Sequence, residues 1–343
     1  MRVRMSTHPS RRAFLAGATG ALAAARLAAG SPAARQAAQQ ATPQPAQEPE
    51  DRSQTIRQEV TRVNVLFTVS DKKGRFITNL AMEDFDVLES KRKQKIIEFA
   101  TESDLPLRIA ILVDTSNSIR ARFRFEVEAA QAFLEGVLRR GRDKALVYGF
   151  DTEAELVQDF TDDTELLGQK LRDLRPGGGT ALFDAMVAAC RDKLMTERPL
   201  HKFRRAMVMI SDGEDNASHY TRDQALEYAQ KTDVVIYAIS TNNTGITHDL
   251  EAGQGGAHML SDGDKVLKYL TRETGGLTYF PFRAQDMEQD FENIANELRS
   301  QYSILYRPDP LKMDGLYHSI EVRVHMRNDL VVRARSGYYA PRS

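Results

Sequence analysis

After the apolar run Ile109-Ala-Ile-Leu-Val113 the chain turns at once to oxygen-bearing side chains: Asp114, Thr115, Ser116, Asn117 and Ser118. A carboxylate with two alternate hydroxyls suits a small hard cation such as Mg²⁺, which takes oxygen ligands and keeps part of its water shell. Two further stretches offer donors of the same kind. Gly177-Gly-Gly-Thr180 carries a hydroxyl behind three glycines, and Met207-Val-Met-Ile-Ser-Asp212-Gly213 is a second apolar run that stops at an aspartate. Asp114, Ser116, Ser118, Thr180 and Asp212 are therefore the candidate metal ligands.

Ile109 to Val113 is β-branched at three of its five positions and reads as a buried strand of a parallel sheet. In open α/β sheets, ligands bind where strands end and helices begin. Residues 105–300 alternate between the two element types. Strands are expected over 107–113, 144–150, 154–160, 206–210, 234–239 and 277–280, and helices over 123–138, 163–174, 181–194, 222–231, 262–274 and 284–299. Phe125, Ala129, Ala132, Phe133 and Val137 follow helical spacing, as a helix laid on a sheet requires. Only Asp151-Thr-Glu153 separates two of the strands, which demands an antiparallel hairpin there. The fold class is thus α/β, with a doubly wound, mostly parallel sheet.

The order Asp-x-Ser-x-Ser, then Gly-Gly-Gly-Thr, then a strand ending in Asp212-Gly213 resembles the metal-ion-dependent adhesion site (MIDAS) of von Willebrand factor A (VWA) domains. The resemblance implies that Ser116 and Ser118 bind the metal directly. Thr180 would be a third ligand, direct or through water, and Asp114 and Asp212 would act through bound waters. It implies a non-enzymatic, cation-dependent protein-binding module, with Mg²⁺ (or Mn²⁺ or Ca²⁺) as cofactor and an acidic residue of a partner protein completing the coordination. Physically, helix N-termini point positive dipole ends at such a rim, so carboxylates are needed to offset them.

Other chemistries fit less well. The three glycines lack the Lys-Ser/Thr of a phosphate-binding loop. A metal-assisted hydrolase, or an enzyme-associated subunit of an envelope complex, is the alternative. A phosphatase of the haloacid type, however, would want a second aspartate where Ser116 stands. No serine sits in a Gly-x-Ser-x-Gly elbow. A third reading has the domain organising an envelope assembly, with the metal stabilising the fold. Glu214, Asp215 and Asn216 read as solvated turn residues, and Asp184 as a helix-surface acid. His219, His248 and His258 read as surface residues, and Cys190 as a small buried hydrophobe.

Flanking the α/β segment, the period changes to two. Val63, Val65, Phe67 and Val69 form one apolar face, Asp71-Lys-Lys-Gly74 reads as a tight turn, and 85–88 and 96–99 are short strands. After the α/β segment, 302–306, 318–325 and 330–334 are again strands, with Asn328-Asp329 as a hairpin turn between the last two. Neither set is large enough to stand alone. The expectation is one small β-sandwich built from N- and C-terminal strands, with the VWA domain inserted in it or flanked by it. The divisions are a leader over 1–30, a disordered linker over 31–55, an N-terminal β module over 56–104, the VWA domain over 105–300, and C-terminal strands over 301–343 packing with the N-terminal module.

Ser10-Arg11-Arg12-Ala13-Phe14-Leu15 resembles a twin-arginine export signal, so a periplasmic or extracellular location is expected. The Ala-rich run behind it is too short for a stable membrane span in the mature chain. The whole chain of 343 residues has a formal charge of −1, and the first 30 residues hold five arginines and no acid, so the remainder stands at −6. So acidic a form has no electrostatic reason to bind nucleic acid. A single cysteine excludes an intrachain disulfide. The Gly-rich stretch 241–260 is read as a surface excursion beside the metal-bearing rim.

Overall fold

A sheet that is apolar on both faces must be covered on both, and one with a single apolar face must find a second sheet. The chain uses both solutions. The structure is a computed structural model that describes residues 62–101, 105–117, 123–198, 202–242, 260–281, 284–325 and 329–342. The expected leader and linker, Ser118, His248, His258, Asn328 and most of the 241–260 stretch lie outside the described residues.

The first strand, β1 (Val63–Asp71), buries Val63, Val65, Phe67 and Val69, as its alternation requires. It ends in the expected tight turn. The Asp71 carboxylate accepts the Lys73 and Arg75 amides at 2.8 and 3.0 Å, and Gly74 takes φ +80°. Three short strands follow: β2 (Phe85–Glu89), β3 (Arg92–Gln94) and β4 (Ile96–Ala100).

Next comes β5 (Leu107–Asp114), buried along its whole length. It leads to α1 (Phe123–Val137), the hairpin β6 (Lys144–Phe150) and β7 (Ala154–Thr161), α2 (Thr164–Asp173) and α3 (Leu182–Ala188). The helix expected over 181–194 is not uniform: after Ala188 it widens into a π-type turn over Ala189–Lys193 and then tightens over Leu194–Thr196. The α/β part continues with β8 (Arg204–Ser211), α4 (Arg222–Lys231), β9 (Val234–Ser240), α5 (Asp262–Thr274), β10 (Thr278–Tyr279) and α6 (Ala284–Arg299).

The central sheet has the order β10-β9-β8-β5-β6-β7, and every neighbouring pair is parallel except β6 with β7. Ile109, Ile111 and Val113 face α1, α2 and α6, while Ala110 and Leu112 face α3, α4 and α5. Burying each large apolar side chain contributes about 1.5–3 kcal/mol. β5, buried on both faces in the middle of the sheet beside the equally buried β8, fixes where Asp114 stands.

The chain closes with β11 (Tyr302–Tyr306), β12 (Tyr317–Val324), β13 (Leu330–Ala334) and β14 (Gly337–Tyr339). Two antiparallel sheets result, β13-β1-β11-β4 and β14-β12-β2-β3, sharing one apolar core around Phe67, Phe85, Tyr302 and Tyr306. N- and C-terminal strands are thus interleaved. The hairpin expected at Asn328-Asp329 does not form, because β12 pairs with β2 and β14 whereas β13 pairs with β1 in the other sheet. Both faces of a sandwich need filling, and the connection crosses between sheets to do it. Polar contacts tie the sandwich to the α/β part. Glu297 on α6 meets Arg333 on β13 at 2.7 Å and accepts from Thr68 on β1 at 3.2 Å, and Arg335 pairs with Asp233 while donating to the Asn64 carbonyl at 2.8 Å.

Candidate metal centre

Parallel strands β5 and β8 are neighbours in register, Val113 opposite Ile210. Their C-terminal ends therefore deliver Asp114 and Asp212 to the same rim. Asp114 is fully buried. One of its carboxylate oxygens accepts the Ser116 amide at 2.8 Å and the other the Ser211 hydroxyl at 2.8 Å. Burial pushes this carboxyl up to about 6, against the Ser116 and Ser211 hydrogen bonds, and the nearby Asp212 charge adds to the rise. None of these neighbours is cationic. An anion so placed, between a second carboxylate and buried hydroxyls, fits a hard cation better than it fits an apolar core.

Asp212 is held with little freedom. Its side chain accepts the Glu214 amide at 3.0 Å and the Ser211 hydroxyl accepts the Gly213 amide at 3.0 Å. Gly213 takes φ +78°, which a side chain would strain. The Asp212 carbonyl accepts from the Asn242 side-chain amide at 2.7 Å, and that same amide donates to Ser261 Oγ and Asp264 Oδ1 at 2.9 and 3.0 Å. Asp264, fully buried at the start of α5, also accepts the Ser240 hydroxyl at 2.6 Å.

The glycine loop is the most heavily tied of the three. Gly177 N–H donates to the Thr115 carbonyl at 2.6 Å, and the Asn117 amide donates to the Gly178 carbonyl at 3.1 Å. Gly179 N–H donates to the Thr152 hydroxyl at 3.0 Å, and Thr180 N–H to Asn216 Oδ1 at 3.0 Å. A Cβ on Gly178 would stand 2.8 Å from that same Thr152 hydroxyl. The amides of Gly177, Gly179 and Thr180 thus serve protein acceptors, which a phosphate cradle would need free. These bonds hold the glycine loop, with the buried Thr180 at its end, against the loops that carry Thr115, Thr152 and Asn216.

Of the five expected ligands, Asp114, Ser116, Thr180 and Asp212 lie on three loops bonded to one another at the C-terminal edge of the central sheet, and Ser118 lies outside the described residues. Ser116 and Thr180 are each 3% exposed, so neither is a loose surface hydroxyl. Among the described residues no three His, Cys, Asp or Glu side chains gather as a cation site.

Two expectations need correction. Asp215 and Asn216 are not simply solvated: Asp215 accepts the Phe183 amide at 3.1 Å and the Ser218 hydroxyl at 2.6 Å, and Asn216 holds Thr180. Asp184 is more than a surface acid, since it accepts the His219 and Tyr220 amides at 2.8 and 2.9 Å and the His219 ring at 2.8 Å. In both cases unpaired N–H groups near a helix start attract carboxylates. The roles of Ser211, Asn242 and Asp264 went unread altogether. A serine directly before Asp212 was the one available hint.

Residues 109–214 match the family model described as the von Willebrand factor type A domain. This match and the doubly wound sheet agree on a VWA-like α/β fold for that part of the chain. An uncharacterised protein of Borreliella burgdorferi is 27% identical over 233 residues, 61% of this chain and 64% of that one. The chain therefore spans less than two thirds of that relative's length. Among solved structures, a von Willebrand factor type A protein from Catenulispora acidiphila aligns with TM-score 0.47 and 11% identity over 81% of this chain and 74% of that one. Proximal thread matrix protein 1 of the mussel byssus, in a structure with a zinc-occupied MIDAS motif, aligns with TM-score 0.46 and 14% identity over 62% and 50% of the two chains.

Proposed function

We propose that the rim formed by Asp114, Ser116, Ser118, Thr180 and Asp212 holds a divalent cation, Mg²⁺ or its relatives Mn²⁺ and Ca²⁺, and that the cation grips a carboxylate of a partner protein. VWA domains commonly have a metal-dependent protein-binding role, and the match over residues 109–214 supports that reading here. The observation that carries the finer reading is Asp114: a buried carboxylate, beside a second one, at the end of a central strand buried along its whole length. Hydroxyls as direct ligands with carboxylates behind them leave a cation electrophilic, so a further anionic ligand from outside stabilises it. We assign no catalysis to this rim.

In this reading residues 105–300 are the ligand-carrying domain, and the strands of 56–104 and 301–343 form its frame. The paired arginines at 11 and 12 direct the chain through twin-arginine export, to the periplasm or beyond. Among the described residues no helix is long and apolar enough to cross a membrane.

The test is capture from envelope extract on the immobilised chain, with Mg²⁺ and with EDTA, beside Asp114→Ala. Capture that needs the cation and vanishes in the variant is the expected result. Capture indifferent to chelation, or phosphoester turnover abolished by the same substitution, would overturn it.

A further inference from the structure

We infer that Asn216 is a positioning residue for this cation site, acting through Thr180; the inference rests on the metal-site reading above. Asn216 Oδ1 accepts the Thr180 N–H at 3.0 Å, while the Asn216 and Ala217 amides donate to the Thr180 carbonyl at 3.0 and 3.1 Å. Both polar atoms of the Thr180 backbone are therefore held by the loop that also bears Asp212. The side chain of Asn216 fits against the glycine loop with no room to spare, since a Cβ on Gly179 would stand 2.8 Å from its Oδ1.

The glycine loop is braced from its other side as well. Thr152 accepts the Gly179 amide at 3.0 Å and the Asp151 carbonyl accepts the Ala181 amide at 2.6 Å. Between these two struts the Thr180 backbone is held on both sides. With Oδ1 accepting the Thr180 amide, the Asn216 side chain supports the site through Thr180. The backbone bonds from Asn216 and Ala217 survive truncation of the side chain. Removing the side chain therefore frees one amide, that of Thr180, and leaves the turn itself bonded. Thr180 is 3% exposed, so water replaces the lost acceptor poorly. Groups that orient a metal's ligands typically change affinity by about 10–100-fold when removed, and the lower end applies to a single hydrogen bond at one hydroxyl ligand.

The experiment is Mn²⁺ titration by calorimetry on the full chain, for the wild type, Asn216→Ala and Asn216→Asp, with amide hydrogen exchange over residues 177–181 in EDTA. Asn216→Ala is expected to weaken Mn²⁺ binding by about 10-fold and to speed exchange at Thr180. The metal-free melting temperature should stay within about 4 °C. Asn216→Asp keeps the acceptor and should restore both affinity and slow exchange. Wild-type affinity with unchanged exchange in Asn216→Ala overturns the inference. So does recovery of affinity in Asn216→Asp without recovery of protection, which would make charge alone the cause. If the wild-type chain takes no Mn²⁺, the metal-site reading fails by itself. Exchange then decides the clamp: faster exchange in Asn216→Ala that Asn216→Asp reverses upholds it, and unchanged exchange overturns it.

Discussion

Gly213 and Gly263 meet backbone to backbone. A Cβ on Gly213 would stand 2.3 Å from the Gly263 carbonyl oxygen, and one on Gly263 would stand 2.1 Å from the carbonyl oxygen of Asp212. The first turn of α5 thereby rests directly on the loop carrying one of the proposed site's two carboxylates. Gly263→Ala would gain about 1 kcal/mol of helix propensity yet force backbone apart, at a cost of about 1–3 kcal/mol. Net destabilisation in urea unfolding, together with weaker Mn²⁺ binding, is the expected outcome. A stabilised variant with intact binding would show that the contact does not constrain the loop.

Asp114 predicts a crossed effect. Asp114→Asn keeps the shape and an acceptor but removes a charge that burial disfavours. In EDTA at neutral pH the variant should melt above the wild type. With Mg²⁺ at about 100 times its dissociation constant the wild type should gain about 2.7 kcal/mol, and the variant nothing. Melting curves with and without Mg²⁺ read both arms. A variant that still gains stability from Mg²⁺ would remove Asp114 from the site.

The Glu297–Arg333 pair joins α6 to β13, with the Glu297 side chain fully buried and that of Arg333 25% exposed. Burial raises the Glu297 carboxyl, and Arg333 and Thr68 pull it back down. Arg333→Met should cost about 3 kcal/mol, because it strands a buried carboxylate. Adding Glu297→Met should recover much of that loss. A double-mutant cycle by denaturant unfolding measures the difference, and additive losses would show the two groups to be uncoupled.

Asp290 on α6 supplies a pH dependence. Burial and the Asp286 charge raise its carboxyl to about 6, above the usual 3.8 of an aspartate. A carboxyl raised on folding contributes stability that is complete below pH 3.8 and is lost as pH rises through 6. Asp290→Asn should therefore match the wild type near pH 4 and exceed it above pH 6. The gain is about 1 kcal/mol after allowing for solvent screening of a half-buried group. Unfolding free energies across pH 4–8 test this, and parallel curves would refute it.

The two apolar runs that precede Asp114 and Asp212 were legible because a buried parallel strand leaves an unbroken apolar stretch, and its end is marked by the first polar side chain. The three-residue link at 151–153 likewise left only an antiparallel hairpin. Asn216, Asn242 and Asp264 were not legible. Each acts by a side-chain bond to a segment distant in sequence, and such bonds impose no period. The false hairpin at 328–329 arose because two adjacent strands with a turn signal between them look alike whether they share a sheet or face each other across a core. The widened turn at Ala189–Lys193 had no signal either, since its residues suit an ordinary helix.

β1 lies between β11 and β13, strands that follow it by more than two hundred residues. No partial chain emerging from the ribosome can give β1 either neighbour until the whole α/β segment has been made. Assembly of the sandwich is thus a late event governed by long-range pairing, and it should be slow compared with closure of the central sheet. A translation pause or truncation before residue 330 would leave β1 with an unpaired edge, and such a strand invites pairing with other chains.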